Sequence, residues 1–222
     1  MENLKREAEM HPECPPEQIV RENLCDLSPA VLAQLPEREN LKKTMRRERR
    51  RKLPPNPKSL EDLNELPESY KKTFSNERFL MYDSRDDIAF GEGRVLVFST
   101  RNNLERLADS DTWYVDGTFK VSPSLFTQLF TVMGKVLKPN VRGNEPTVIA
   151  FPFVYALLSS KETDQYEAVF RSIASMAATY GIHHCRPQRI VSDFEVAIIN
   201  ACCSVYPNIP LSCCFFHLGQ SL

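Results

Sequence analysis

The sequence predicts an α/β protein built on a mixed five-stranded sheet with flanking helices. Five short runs within residues 111–222 are rich in β-branched and aromatic residues and are bounded by turn-forming residues, which is typical of strands. Two segments between the later runs carry apolar residues at helical spacing. The order is strand, strand, strand, helix, strand, helix, strand. The first three strands can therefore form an antiparallel meander, and the last two can add in parallel through right-handed crossovers.

The first of these strands starts at residue 112, in the run TWYVDGTFK, and ends at Asp116. The third is apolar on both faces, and its Pro152 predicts an edge position or a bulge. Thr163 and Gly181 are the expected caps of the first helix. The remaining predicted strands are residues 125–135, 148–158, 189–192 and 211–216, and the helices are 164–180 and 195–205. This order is that of the ribonuclease-H-like fold.

Two further regions precede this domain. Residues 58–110 are predicted to form a lead-in hairpin, with strands at 78–83 and 94–99, followed by a helix capped by Thr100. Residues 1–57 are poor in aromatic side chains and rich in charge and proline. They predict three short helices and a stiff proline linker, and helices this short are marginal alone, so the segment is helical on a partner or disordered. The predicted helices are residues 15–26, 28–35 and 36–52.

The third of these helices is strongly basic, with nine basic and two acidic residues between positions 38 and 52. One interpretation is a phosphate-binding surface or a nuclear localisation signal, and the other is a solvated helix face. No aromatic residue interleaves the run, so stacking of single-stranded bases is not indicated. The candidate nucleic-acid contacts are Lys42, Lys43, Arg46, Arg47, Arg49, Arg50, Arg51 and Lys52.

Composition indicates a soluble intracellular protein. The chain has 222 residues, 42% of them hydrophobic and 26% charged, which suits one core with an appendage. Its seven cysteines are odd in number and mostly lie in apolar runs, as expected of buried thiols in a reducing compartment. The sequence contains no apolar run long enough to span a bilayer and no secretory signal, so we expect no membrane partner.

Two acids follow neighbouring strands of the predicted sheet. Asp116 ends the first strand and Asp193 follows the fourth, 77 residues later. If the two strands lie side by side, the carboxylates meet and repel unless divalent cations neutralise them. Hard oxygen ligands suit Mg²⁺ or Mn²⁺, and such ions can support phosphodiester cleavage. The alternative is that Asp116-Gly117 is a hairpin turn and Asp193 a cap or turn residue.

Five motifs in order resemble the Mutator-like (MULE) transposase domain, over roughly residues 79–222. They are DTWYVDGTFK, FTQLFTV, FPFVYALLSSKETDQYEAVF, IVSDFEVAIINA and CCFFHLGQSL. The likeness is to the forms associated with FLYWCH zinc-finger proteins, although no such finger is present in this sequence. It implies a DDE-type transposase with a ribonuclease-H-like fold, which cuts and joins DNA with Mg²⁺ or Mn²⁺ in the nucleus, as a homo-oligomer or with other transposase subunits.

The resemblance assigns roles to individual residues. Asp116 in VDGTFK is the first metal-binding acid and Asp193 in VSDFE the second. Cys214 and His217 correspond to the family's Cys-x-x-His motif. The family's third acid is a Glu on a later helix, and the sequence stops before one, with Glu195 placed instead at a helix start. We therefore expect a truncated domain with little activity alone, or a non-catalytic domesticated module that binds DNA or protein.

The remaining candidates have ordinary structural interpretations as well. The cysteines and histidines lack the paired Cys-x-x-Cys spacing of a zinc site, so buried thiols are favoured. Cys214 and His217 can equally be a core thiol and a histidine at the start of a helix. Lys120 and Lys161 can contact phosphate near the acids or remain solvated.

Overall fold

The computed structural model describes residues 2–25, 27–138 and 146–214. The chain divides into two compact units, Met1–Pro57 and Lys58–Leu222. None of the described helices is both long and apolar enough to cross a lipid bilayer.

The first unit is a small helical bundle with its own core. The three predicted helices are present but shorter, and proline begins two of them, where its missing N–H costs nothing. Its helices are α1 (Glu2–Met10), α2 (Pro16–Leu24), α3 (Pro29–Leu32) and α4 (Arg38–Lys52). The core consists of Leu4, Ala8, Ile19, Val20, Leu24, Leu41 and Met45. Helix α1 escaped prediction because only Leu4 and Ala8 of its nine residues are buried, a single i,i+4 pair.

The second unit contains a seven-stranded mixed sheet. Its strands are β1 (Leu80–Asp83), β2 (Val95–Phe98), β3 (Thr112–Thr118), β4 (Gln128–Lys138), β5 (Thr147–Leu158), β6 (Arg189–Ser192) and β7 (Leu211–Cys213). Their order across the sheet is β1-β2-β5-β4-β3-β6-β7. The α/β class and the five predicted strands are confirmed. The strand count is seven instead of five because β2 pairs antiparallel with the last four residues of β5, which joins the lead-in hairpin to the sheet.

Pairing within the sheet follows the predicted directions. Strands β3, β4 and β5 form the antiparallel meander, and β6 and β7 add in parallel. The ladder between β4 and β5 shifts register between Val132 and Met133, opposite Pro152, which confirms the predicted bulge. Residues 215 and 216, predicted to continue the last strand, lie outside the described residues.

Helices cover the sheet and enclose the main core. They are α5 (Glu68–Lys71), α6 (Arg101–Ala108), α7 (Thr163–Thr179) and α8 (Val196–Val205). Thr100 caps α6 as predicted, since its side chain accepts from the Asn103 amide. Gly181, at a φ of +74°, follows the end of α7, and Glu162 occupies the N-cap position expected for Thr163. The fully buried Trp113 of β3 meets the ring of Tyr206, just beyond α8, edge-on at 5.7 Å.

A buried ion pair joins β1 to the start of β2. Arg94 Nε lies 2.7 Å from Asp83 Oδ1, and Arg94 Nη2 donates to Asp83 Oδ2 at 2.8 Å. Both side chains are less than a tenth exposed. Removing one partner of such a pair leaves an uncompensated charge inside the protein, which is far more costly than losing an exposed pair.

We expect Asp83→Asn to lower the free energy of unfolding by about 3 kcal/mol, because the buried Arg94 guanidinium loses its anionic partner. The matched control is Asp111→Asn, which removes an exposed pair with Lys135 and should lower the free energy of unfolding far less. Urea denaturation of the two variants measures the difference. Equal losses would show that the buried pair contributes no more than the exposed one.

Candidate functional site

Asp116 lies in β3, and Asp193 directly follows the adjoining strand β6. Strand β3 pairs in parallel with β6, and each paired residue of β6 follows its partner in β3 by 77 positions, as in Thr112–Arg189. Asp116 and Asp193 have the same separation, so continuing this register by two residues brings the acids opposite each other. Both are half-buried. The hairpin-turn interpretation of Asp116-Gly117 is wrong, because β3 continues through both residues to Thr118, paired with β4.

Backbone pairing between β3 and β6 stops before it reaches the acids. Its last pair is Tyr114 with Val191. On the outer sides, β3 remains paired with β4 as far as Thr118, and β6 remains paired with β7 through Ser192. Asp116 is therefore held by β4, whereas Asp193 directly follows the last residue of β6 that pairs with β7, and the ladder between β3 and β6 ends two residues before the acids.

Asp193 lies in the turn between β6 and α8. Its Oδ1 accepts a hydrogen bond from the Glu195 amide at 3.1 Å, and its carbonyl accepts from Ser192 Oγ at 3.0 Å. Glu195 is the N-cap residue of α8. The turn interpretation of Asp193 thus describes its local geometry.

A chain of side-chain hydrogen bonds runs next to the acids. Gln128 Nε2 donates to the Tyr166 hydroxyl at 2.5 Å, and this hydroxyl donates to Glu195 Oε1 at 2.5 Å. Gln128 and Tyr166 are fully buried. Burial, followed by the hydrogen bond to Glu195, raises the pKa of Tyr166, and the Asp193 charge acts in the same direction. The hydroxyl therefore keeps its proton and remains a donor.

Glu195 also pairs with a lysine at the surface of the site. Lys161 Nζ lies 3.2 Å from Glu195 Oε2 and 4.0 Å from the centre of the Phe119 ring. Of the two lysines considered as phosphate contacts, Lys161 is thus part of this cluster, and Lys120 is an exposed residue. Helical spacing predicts Tyr166 only as a core residue of its helix, and no sequence pattern indicates Gln128. Hydrogen bonds between residues so far apart leave no periodic signal.

Gly117 is required by a close approach of the backbone to Gln128. A Cβ at this position would overlap Gln128 Oε1. That oxygen is buried and accepts no hydrogen bond from any residue that the structure describes. Any larger residue after Asp116 would therefore displace the Gln128 amide from Tyr166.

The acids fit a hard divalent cation. Among residues 2–25, 27–138 and 146–214, no group of three or more His, Cys, Asp or Glu residues is arranged to hold a metal. Two carboxylates at a half-exposed strand edge nevertheless match Mg²⁺ and Mn²⁺, which usually take one or two carboxylates and complete their shell with water and phosphate oxygens.

The Cys-x-x-His motif is only partly covered by the described residues. The Cys214 amide donates to the Ser192 carbonyl at 2.7 Å, which extends β7 along β6 beside Asp193. The side chain of Cys214 is half-buried. His217 lies outside the described residues.

Some basic side chains of helix α4 form hydrogen bonds or ion pairs within the first unit. Arg49 donates to the carbonyls of Ala8, His11 and Cys14, each at 2.8 Å, and so caps the end of α1. Lys42 lies 2.5 Å from Glu39 and lowers the pKa of that carboxyl. Three of the eight candidate contacts are engaged in this way, since Arg51 pairs with Glu48 at 3.3 Å.

Four other candidates form an exposed basic ridge. Lys43, Arg46, Arg47 and Arg50 are all exposed. Their spacing of three, four and seven residues places them on one side of α4, opposite the buried pair Leu41 and Met45. Lys52 is the last residue of the helix, and its side chain lies outside the described ones.

Comparison with known protein families yields a match over the second half of the chain. The family model of the MULE transposase domain matches residues 112–221, beginning at the first residue of β3. No curated protein and no solved structure matches the chain.

We expect Gly117→Ala to lower the free energy of unfolding by about 1–3 kcal/mol, because the added methyl group forces Gln128 out of its buried position. Gly91→Ala is the control, since a Cβ there would lie at an ordinary 3.8 Å from Asp164 Oδ2. Thermal unfolding followed by circular dichroism measures both. A Gly117→Ala protein as stable as the control would contradict the close approach.

Proposed function

The chain belongs, through residues 112–221, to the MULE transposase domain family, and from this membership we propose that it derives from a DDE-type transposase domain, keeps the first two acids of the metal site, and binds a divalent metal ion and DNA with little cleavage activity alone. Transposase domains of this family generally bind DNA and use divalent metals. We place the sheet in the ribonuclease-H-like group, with Asp116 and Asp193 as metal ligands.

The observation that carries the proposal is the register between β3 and β6. Continued by two residues beyond the last pair, this register would align Asp116 with Asp193, and it supports the assignment of both as metal ligands. A metal ion bound there would activate a water or hydroxyl nucleophile and stabilise the leaving oxygen of a phosphodiester. The protein supplies the carboxylates and orients them. Lys161, at the rim, offers a positive charge to a phosphate that approaches the acids.

The basic ridge on α4 is proposed as a second DNA contact. Exposed lysine and arginine side chains displace the counterions of the phosphate backbone, and this supplies most of the sequence-independent affinity. The same ridge can act as a nuclear import signal, which agrees with a DNA substrate in the nucleus. We assign Cys214 and His217 a structural role beside the second acid.

A non-catalytic DNA-binding module is the second candidate function. It is favoured by the separate core of the first unit, which presents the ridge without using the acids. The two candidates differ in one measurement. Nicking of supercoiled plasmid that requires Mn²⁺ and disappears in Asp116→Asn supports the transposase, whereas DNA binding and Mn²⁺ binding without nicking support the module.

We expect Asp116→Asn/Asp193→Asn to weaken Mn²⁺ binding at least about tenfold, because neutral amides replace both anionic ligands. Isothermal titration calorimetry of the full chain measures the dissociation constant. Asp111→Asn, an exposed acid five residues before Asp116 in sequence, should bind Mn²⁺ as the unmodified protein does. Unchanged binding in the double variant would rule out the site.

Replacing the four ridge residues with Gln should reduce DNA affinity and its dependence on salt. Each lost phosphate contact lowers the slope of log K against log salt concentration by about 0.9. Fluorescence anisotropy with duplex DNA at several salt concentrations measures the slope. A control variant loses the same charge elsewhere, by Gln substitution of Arg101, Arg106, Arg171 and Arg189. An equal fall in slope for the two variants would show that the ridge is not a specific contact.

A further inference from the structure

We propose that Gln128, Tyr166 and Glu195 form a side-chain bridge that fixes the separation of the two acids, with Tyr166 as its central positioning residue. The inference rests on the proposed function, since it concerns the metal site at Asp116 and Asp193.

The bridge is needed because the backbone does not connect the strands at the level of the acids. The ladder between β3 and β6 ends at Tyr114 and Val191. Beyond that point β3 follows β4 and β6 follows β7, so the two strand ends can separate without breaking any hydrogen bond of their common ladder. A metal site made by one acid from each strand needs a fixed spacing.

The bridge runs from β4, which is the outer neighbour of β3, to the residues that follow β6. Gln128 is the first residue of β4, and its amide oxygen packs against the backbone of Gly117, directly after Asp116. Its amide nitrogen donates to Tyr166 of α7. Tyr166 donates to Glu195, whose own backbone amide donates to Asp193 Oδ1. The chain of contacts therefore starts beside one acid and ends on the other.

The direction of each hydrogen bond in the bridge is determined by the groups themselves. The Glu195 carboxylate can only accept, so the single proton of the Tyr166 hydroxyl must point to it. The hydroxyl then accepts from Gln128, which must present its nitrogen and turn its oxygen to Gly117. This orientation leaves the buried oxygen without a donor among the described residues, a cost of a kind that buried polar groups usually avoid.

A second buried tyrosine shows what a purely structural residue looks like in this core. The Tyr206 hydroxyl lies 3.5 Å from the Phe170 carbonyl, and its ring packs edge-on against Trp113. Tyr166 packs in a similar way, with its ring 5.0 Å from that of Phe130. Of the two tyrosines, Tyr166 is the one whose hydroxyl connects groups that adjoin both acids. Comparing the loss of each hydroxyl therefore distinguishes a positioning role from a packing role.

The test compares Mn²⁺ affinity in Tyr166→Phe and Tyr206→Phe by calorimetry on the full chain. Tyr166→Phe keeps the ring and loses the bridge, so Mn²⁺ should bind about tenfold more weakly, as is typical when a residue that orients metal ligands is lost. Tyr206→Phe should bind Mn²⁺ like the unmodified protein. Both titrations are made well below the thermal midpoints of the variants, so that a difference in stability does not affect the comparison.

A pair of substitutions at Glu195 provides a second measurement at a partly exposed position. Glu195→Gln keeps an oxygen that accepts from Tyr166 and should retain Mn²⁺ affinity within about twofold, whereas Glu195→Ala should lose about tenfold. Loss in Glu195→Gln with none in Tyr166→Phe would mean that Glu195 binds the metal itself, and it would overturn the bridge.

The outcomes separate this inference from the proposed function. If Asp116→Asn/Asp193→Asn abolishes Mn²⁺ binding and Tyr166→Phe does not change it, the bridge is wrong and the metal site stands. If the double variant binds Mn²⁺ normally, or the unmodified chain binds none, the metal site itself is wrong and the bridge fails with it.

Discussion

The parallel pairing of β3 with β6 is the constraint on which the candidate site depends. Burial of apolar side chains fixes its register, because Trp113 and Ile190 are opposite each other and both are buried in the main core. A slip of one residue would turn one of these side chains to the other face of the sheet. The hydrophobic core thus sets the alignment of Asp116 with Asp193, although neither acid belongs to that core.

The position of the acids beyond the end of this pairing reconciles two requirements. Carboxylates inside the sheet would lose their hydration, and a hydrated divalent ion would have no access to them. At the strand edge both acids are half-exposed, but the backbone ladder no longer spaces them. A buried tyrosine beside the acids meets the second requirement, since burial raises its pKa and keeps its hydroxyl protonated as a donor to Glu195.

The sequence predicted those parts of the structure that have a local signal. The spacing of apolar residues, the helix caps and the positions of proline predicted the strands and most helices. The order of the strands predicted that Asp116 lies beside Asp193. The sequence did not predict that the lead-in hairpin joins the main sheet. That joining occurs because the last residues of β5 pair with β4 on one side and with β2 on the other. The hydrogen bonds of Gln128 and Arg49 were missed for a similar reason, since they join residues 38 and 35–41 positions away.

Helical periodicity decides how much of the basic run can face a nucleic acid. Nine positive charges in a helix with a buried face cannot all point outward, and Lys42 and Arg49 lie on the sides that meet α1 and α2. The ridge from Lys43 to Arg50 spans seven residues, about 10 Å along the helix. That is close to the width of one DNA major groove, roughly 12 Å, so a single ridge reaches the phosphates of one groove.

On the proposed function, tight binding then requires several contacts at once, because linked weak sites gain affinity by raising the effective concentration of the next one. A metal ion held by the acids, or the ridge of a second copy of the chain, would provide such a contact.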